Sequence, residues 1–324
     1  MKQIEVPYNF DKDLITALKI IYPNGEPFQC FYTAPYWEDY RSAKYYYVEK
    51  FGGRDMNTNR GMTREDYIDH MEYVNQCFPN KLMLLLQQTD TFIDDDLLTD
   101  FYINKLKFSK FCVGNLEQAK KLKAINPNFE TIASIAMKLE PDKLSPEELQ
   151  EYSTYLDGVV LWFPFNRDIY RVKSLPRCFN YTLLVNCSCS IYCDGTHHWF
   201  ASKEEEEHLV CPKMNGYSFN DVIYIKPIDL PLWDDFISNY KLQGREQTTQ
   251  VLLPQIMAYT TNWRHDDFTP LYRSYDYQLY TPKNNEIDCN NRPTFYALSE
   301  QEEANYLKLE DESGLCSGFL FVEG

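Results

Sequence analysis

No stretch of this sequence approaches the ~18 consecutive apolar residues that a membrane-crossing helix needs, which argues against a membrane span. Its first residues, Met1-Lys-Gln-Ile-Glu-Val, enter a strand-like alternation at once, with no signal-peptide apolar core, so a cytoplasmic location is the expectation. Positive charge is scarce: the net charge is −16, and the densest basic run, Lys120-Lys121-Leu-Lys123, reads as the exposed face of one helix. A field of that sign repels phosphate backbones, so direct nucleic-acid binding is not expected. Motifs are missing too. No glycine-rich phosphate loop follows a strand, Gly114-Asn-Leu-Glu being too short to form one. There is no Gly-x-Ser-x-Gly elbow and no His-Glu-x-x-His pair, so a conventional serine or zinc-protease site is unsupported.

What is present is enough apolar matter for a large core, 44% of 324 residues, with 26 tyrosines suited to its edges. Strand-like and helix-like segments alternate throughout. Strands are expected at 4–6, 28–32, 81–86, 108–113, 129–135, 159–163, 181–185 and 222–226. Helices are expected at 11–21, 64–77, 94–106, 116–125, 146–156, 167–175 and 230–240, with Asp11, Thr63 and Ser145 as N-caps. A polar and aromatic insertion, Thr33 to Met62, follows the second strand; loops of that length in compact domains are usually functional or disordered. Eight alternating units favour an α/β fold of the closed (β/α)8 TIM-like barrel type over an open doubly wound sheet. The barrel is assigned to 1–245, and a covering helix (247–262) with an irregular C-terminal segment to 246–324.

The chemistry is concentrated after the seventh strand. There Asn186-Cys187-Ser-Cys189-Ser-Ile-Tyr-Cys193-Asp-Gly-Thr-His197-His198 is followed, beyond an acidic run, by Cys211. In a parallel barrel this is the strand end that carries active sites. Bunched thiolates suit a soft metal or an iron–sulfur cluster. The Cys-x-Cys-x3-Cys spacing with a distant fourth cysteine fits a cuboidal cluster better than zinc, the alternative, whose sites usually pair Cys-x2-4-Cys on two turns. It is not the Cys-x3-Cys-x2-Cys of radical enzymes that use S-adenosylmethionine. Cys30, in the second strand, is open as a fourth ligand in place of Cys187. His197 or His198 is a candidate to face the cluster or a substrate, and His70 reads as surface. Cys77, Cys112 and Cys178 read as small hydrophobes in apolar elements. Asn9, Gln87 and Trp162 are further mouth candidates.

The run Asn186-x-x-Cys189-x3-Cys193-x3-His197, then Cys211, Ile225-Lys226-Pro227-Ile228-Asp229-Leu230 and Tyr240-Lys241-Leu242-x-Gly244-Arg245, resembles the collagenase-like peptidase family of unassigned catalytic type. The opening Glu5-Val-Pro-Tyr-Asn9-Phe10 is similar to that of its anaerobe members. The resemblance implies a TIM-like barrel with a [4Fe-4S] cluster, held here by Cys189, Cys193, Cys211 and either Cys187 or Cys30. It implies oxygen-independent hydroxylation or other anaerobic redox chemistry, or else proteolysis. The substrate is then a small molecule or a protein, with Asn186 and His197 as catalytic candidates and a hetero- or homodimer allowed; a non-catalytic, metal-stabilised binding subunit is the other alternative. Lys226 stands where the family has arginine, and Asp229, Lys241 and Arg245 match, with salt bridges orienting the last barrel unit as one role for them. Leu183-Leu-Val-Asn186 replaces the Glu and His-Gly that precede the first cysteine in the peptidase-type members, which speaks against proteolysis.

Overall fold

A computed structural model of the chain describes residues 3–39, 59, 61–86, 93–186, 225, 227–245 and 247–260. Eight parallel strands close into a barrel in sequence order: β1 (Gln3–Pro7), β2 (Phe28–Thr33), β3 (Leu82–Leu86), β4 (Lys110–Val113), β5 (Glu130–Ala133), β6 (Gly158–Val160), β7 (Asn180–Leu184) and β8 (Asn239–Lys241). Closure is made by β8 against β1, with Gln3, Ile4 and Glu5 facing Asn239, Tyr240 and Lys241.

The helices follow from local sequence. In α1 (Lys12–Ile21) Asp11 accepts from the Asp13 amide, and Leu14, Ile15 and Leu18 form the buried stripe. In α2 (Arg64–Cys77) Thr63 accepts from the Asp66 amide. A short α3 (Asp95–Leu97), capped by Asp94, continues as π-helix over Leu98–Lys105. Asn115 caps α4 (Leu116–Ile125), and Ser145 with Glu148 forms a reciprocal capping box on α5 (Pro146–Tyr155). A short α6 (Ile169–Lys173) precedes β7, and α7 (Thr249–Thr260) follows β8 and packs on α1.

Strands buried on both faces need apolar residues facing outward as well as inward. On the β2 side Phe28 and Phe31 turn outward onto Phe78 at ring separations of 5.7 and 4.8 Å. Each such fully buried ring contributes roughly 1.5–3 kcal/mol of transfer free energy. Gly158 allows β6 and β7 to approach, since a Cβ there would lie 2.8 Å from the Asn180 carbonyl oxygen. Gly244, at φ +123°, turns the chain from β8 toward α7 in a conformation that side chains resist.

The expected barrel is present, but its last unit differs from the sequence reading. The eighth strand of the barrel is Asn239–Lys241; of the expected strand 222–226 all but Ile225 lies outside the described residues, and the expected helix at 230–240 is replaced by a 3-10 turn, Pro227–Leu232, leading into that strand. The apolar Val-Ile-Tyr-Ile run has the composition of a strand, whereas Asn-Tyr-Lys hides one. The reason is that Lys241 points into the barrel and finds a buried carboxylate there, so the residue that looks like solvent-facing surface is interior.

Candidate active site at the barrel mouth

The interior beneath the mouth is polar at one level. Lys241 Nζ donates to Glu5 Oε2 at 2.7 Å, both side chains being buried, and Thr182 Oγ1 donates to Glu5 Oε1 at 3.1 Å. The pair therefore ties β1, β7 and β8 together across the closing seam. Burial by itself would lower the lysine's pKa, but the facing Glu5 carboxylate outweighs it, and the ammonium is held above its ordinary range. Lys241 Nζ also lies 3.9 Å from the centre of the Tyr32 ring, whose hydroxyl donates to the Leu242 carbonyl. This is the salt bridge expected of Lys241, and its partner is Glu5.

Cys30 occupies the middle of β2 at the level of Glu5, its strand partner. Its thiol donates to Met83 Sδ at 3.9 Å, and burial pushes its pKa well above the ordinary thiol value, Glu5 adding to the shift. Tyr32, two residues further along the same face of β2, stands between Cys30 and the mouth. Cys112 is likewise buried and Cys77 partly so, whereas Cys178 is exposed just before β7, outside any apolar element.

Above this level two stretches of chain leave the mouth and return. The first follows β2. Asn59 Nδ2 donates to the Pro35 carbonyl at 2.9 Å, and Trp37 Nε1 donates to the Met62 carbonyl at 3.0 Å. Arg64 forms a two-pronged pair with Asp39, whose carboxylate also receives the Tyr102 hydroxyl at 2.6 Å. The guanidinium carbon lies 4.6 Å and 4.9 Å from the Tyr36 and Phe101 ring centres.

The second stretch follows β7 and contains the cysteine segment. Val185 donates its amide to the Lys241 carbonyl, and the Ile225 amide donates to the Val185 carbonyl at 2.8 Å, so 185 and 225 are neighbours. Asn186 extends the β7–β8 ladder with its side chain: Nδ2 donates to the Gln243 carbonyl at 2.9 Å, and Oδ1 accepts from the Gln243 amide at 2.7 Å. The same Nδ2 donates to Gln255 Oε1 at 2.9 Å. Tyr259, from the last turn of α7, directs its hydroxyl to the carbonyls of Ile225 at 2.8 Å and Val185 at 3.2 Å.

Of the candidates read from sequence, Asn186 stands at the mouth with its amide engaged in these contacts. Cys187, Cys189, Cys193, Cys211, His197, His198, Gln87 and Lys226 lie outside the described residues. Asn9 stands at the mouth and donates to the Gln247 carbonyl and to Thr249 Oγ1, at 3.1 and 3.3 Å, anchoring the start of α7. Trp162 is buried and stacked on Phe163. His70 differs from the surface reading: it is half-buried, with Nδ1 2.6 Å from the Tyr8 hydroxyl and its ring against Phe10. Among the described residues, no three His, Cys, Asp or Glu side chains are arranged to hold a metal ion, and no helix is long and apolar enough to cross a membrane. Glu5, Gln255 and Tyr259 were missed by the sequence reading. Glu5 carried a signal, an acid between Ile4 and Val6 in an otherwise apolar strand; the other two carried none.

Together these features define a closed parallel (β/α)8 barrel whose mouth is furnished mainly from the ends of β2, β7 and β8. No protein-family model matches the chain, and no curated protein does. Among solved structures it is similar to one described as "The Structure of the U32 Peptidase Mk0906". That match has 9% identity and a TM-score of 0.46, over 75% of this chain and 92% of that one. At that identity and score the likeness carries no argument about this chain.

Proposed function

We propose that this chain is an iron–sulfur barrel enzyme whose cluster is carried by the segment after β7 and faces the barrel mouth. The supporting observation is that Asn186, one residue before Cys187, is fixed at the mouth by three hydrogen bonds to Gln243 and Gln255. The segment that bears the proposed ligands thus begins at the end of the barrel where parallel-barrel chemistry takes place.

The donor chemistry fits such a cluster. Four soft ligands are needed, and Cys30, at mid-barrel below Tyr32 with a thiol that burial keeps protonated, is a poor fourth. The set proposed is Cys187, Cys189, Cys193 and Cys211. When bound and held by these four thiolates, the cluster would supply one-electron chemistry at the mouth. His197 is the proposed acid–base group beside it, and Asn186 orients the strand end from which the ligands depart. The substrate class is a small molecule or a partner-delivered group acted on without dioxygen, in the cytoplasm. With a net charge of −16, a nucleic-acid substrate would require a basic partner subunit.

The test is metal analysis of anaerobically purified protein together with its visible spectrum. Brown protein containing iron and sulfide is expected, and Cys193→Ala is expected to lose the iron. Colourless protein that holds zinc, or an unchanged iron content in Cys193→Ala, would overturn the proposal. An iron-free protein that cleaves peptides would favour the peptidase alternative.

A further inference from the structure

Two residues of α7, Gln255 and Tyr259, contact the mouth at the two ends of the stretch 187–224. Asn186 immediately precedes that stretch and Ile225 immediately follows it. The Ile225 amide donates to the Val185 carbonyl at 2.8 Å, so the chain returns to the point from which it left. Two side chains of α7, one turn apart on one face, then hold this root. Gln255 Oε1 receives Asn186 Nδ2 at 2.9 Å, while Gln255 Nε2 donates to Gln247 Oε1 at 2.9 Å, fixing which way the Gln255 amide faces. Tyr259 shares its hydroxyl proton between the carbonyls on the two sides of the root. Both residues are buried, and Tyr259 has a large apolar ring whose hydroxyl is its sole polar group.

We infer that Gln255 and Tyr259 form a clasp by which α7 holds the two ends of the cysteine-bearing segment together at the mouth. Three physical points carry this. A segment whose ends are in hydrogen-bond contact is a closed loop, and closing a loop of this length costs conformational entropy that must be offset at the root. Backbone ladder bonds account for part of that offset, since Val185 bonds both Lys241 and Ile225. The rest comes from side chains on an element that packs on α1 and reaches β1, so the root is referred to the barrel wall and not to the loop's own contents. Tyr259 and Gln255 are positioning residues: Tyr259 touches the backbone on both sides of the proposed ligand segment and Gln255 the side chain of Asn186, not the reacting atoms. The inference rests on the cluster reading only where it concerns the ligands, because the clasp itself consists of described residues.

Tyr259→Phe removes one hydroxyl and little volume, and Tyr67→Phe serves as control, since Tyr67 is also fully buried and also donates to a backbone carbonyl, that of Ala34, at 3.0 Å. The first readout is amide hydrogen exchange at Ile225 under native conditions. Tyr259→Phe is expected to speed it by about fivefold to tenfold, the factor one ordinary hydrogen bond carries, with the control at the wild-type rate. The second readout is the rate at which anaerobically reconstituted protein loses iron to a chelator, expected to rise in Tyr259→Phe and not in the control. Should Tyr259→Phe fail to fold, Gln255→Met gives the same test, read at the Gln243 amide that Asn186 accepts. Wild-type exchange at Ile225 in the folded variant overturns the clasp. Faster exchange with wild-type iron release overturns its bearing on the ligands. Faster exchange in a protein that never holds iron overturns the cluster reading alone and leaves the clasp standing.

Discussion

The two stretches that leave the barrel mouth, one after β2 and one after β7, are rooted by different chemistry. The β2 root is charged and aromatic: Arg64 is held in a fork with Asp39 and lies against the faces of Tyr36 and Phe101, and the Tyr102 hydroxyl completes the carboxylate's partners. The β7 root is neutral, built from the ladder bonds of Val185, the amides of Asn186 and Gln255 and one phenol. Charge-assisted bonds are roughly twice as strong as neutral ones but sensitive to salt and to the loss of a single partner. A neutral root spreads its strength over several modest bonds, so the loss of any one of them is felt less.

Beneath the mouth lies the Glu5–Lys241 pair, and removing one of its partners is expected to give the largest effect. Lys241→Met leaves the Glu5 carboxylate buried with Thr182 as its remaining partner, a loss of about 3–5 kcal/mol on the scale of broken buried ion pairs. Urea unfolding should show that fall, and the double variant Glu5→Leu/Lys241→Met should recover most of it. A single variant as stable as the parent would mean that the pair does not hold the β8–β1 seam.

The roots themselves separate next. Arg64→Ala is expected to cost about 2 kcal/mol, discounted because a third of the arginine side chain is exposed, and Arg64→Lys should not restore it, since a lysine cannot reproduce the fork. Asn186→Ala is expected to cost about 1 kcal/mol, its side chain being only half-buried. Raising salt to about 1 M should shrink the Arg64 penalty and leave that of Asn186 in place. Equal salt responses would erase the distinction between the two roots.

How much of this was legible in the sequence differs by region for physical reasons. The first seven strands were readable from their apolar residues, unbroken in Leu82–Leu86 and alternating about Glu5 in Gln3–Pro7, and helix starts were readable from caps such as Asp11, Thr63 and Ser145. β8 was hidden because its function in the fold is polar. A strand spelled Asn-Tyr-Lys is recognisable only once Glu5 is known to face it across the barrel seam, a pairing of residues 236 positions apart. At the mouth, Asn186 was readable as the last residue before the cysteines, but the contacts that hold it come from Gln243, Gln255 and Tyr259. None of those belongs to a local pattern, since they converge only after β8 and α7 have closed the barrel.

The smallest expected effect concerns the helix layer beside the β2 root, where Tyr8 and His70 meet at 2.6 Å. Burial lowers the His70 pKa from its ordinary 6.5, and Lys12 on α1 acts in the same direction. Asp69 and Asp66 on α2, and Asp11, oppose them. A lowered folded-state pKa means that the native protein prefers the neutral imidazole, with Nδ1 accepting from Tyr8. Its stabilisation is therefore complete above about pH 6.5 and is lost as the pH falls through the lowered value, because the unfolded chain binds the proton first. The size is bounded by one hydrogen bond, about 1 kcal/mol or roughly 2 °C in Tm for a chain of this length. The measurement is the Tm difference between the parent and His70→Asn, whose amide oxygen can still accept from Tyr8 but does not titrate. That difference should favour the parent less as the pH is lowered from about 7.5 to about 5, whereas a difference that does not vary with pH would show that the imidazole is not held neutral by its burial.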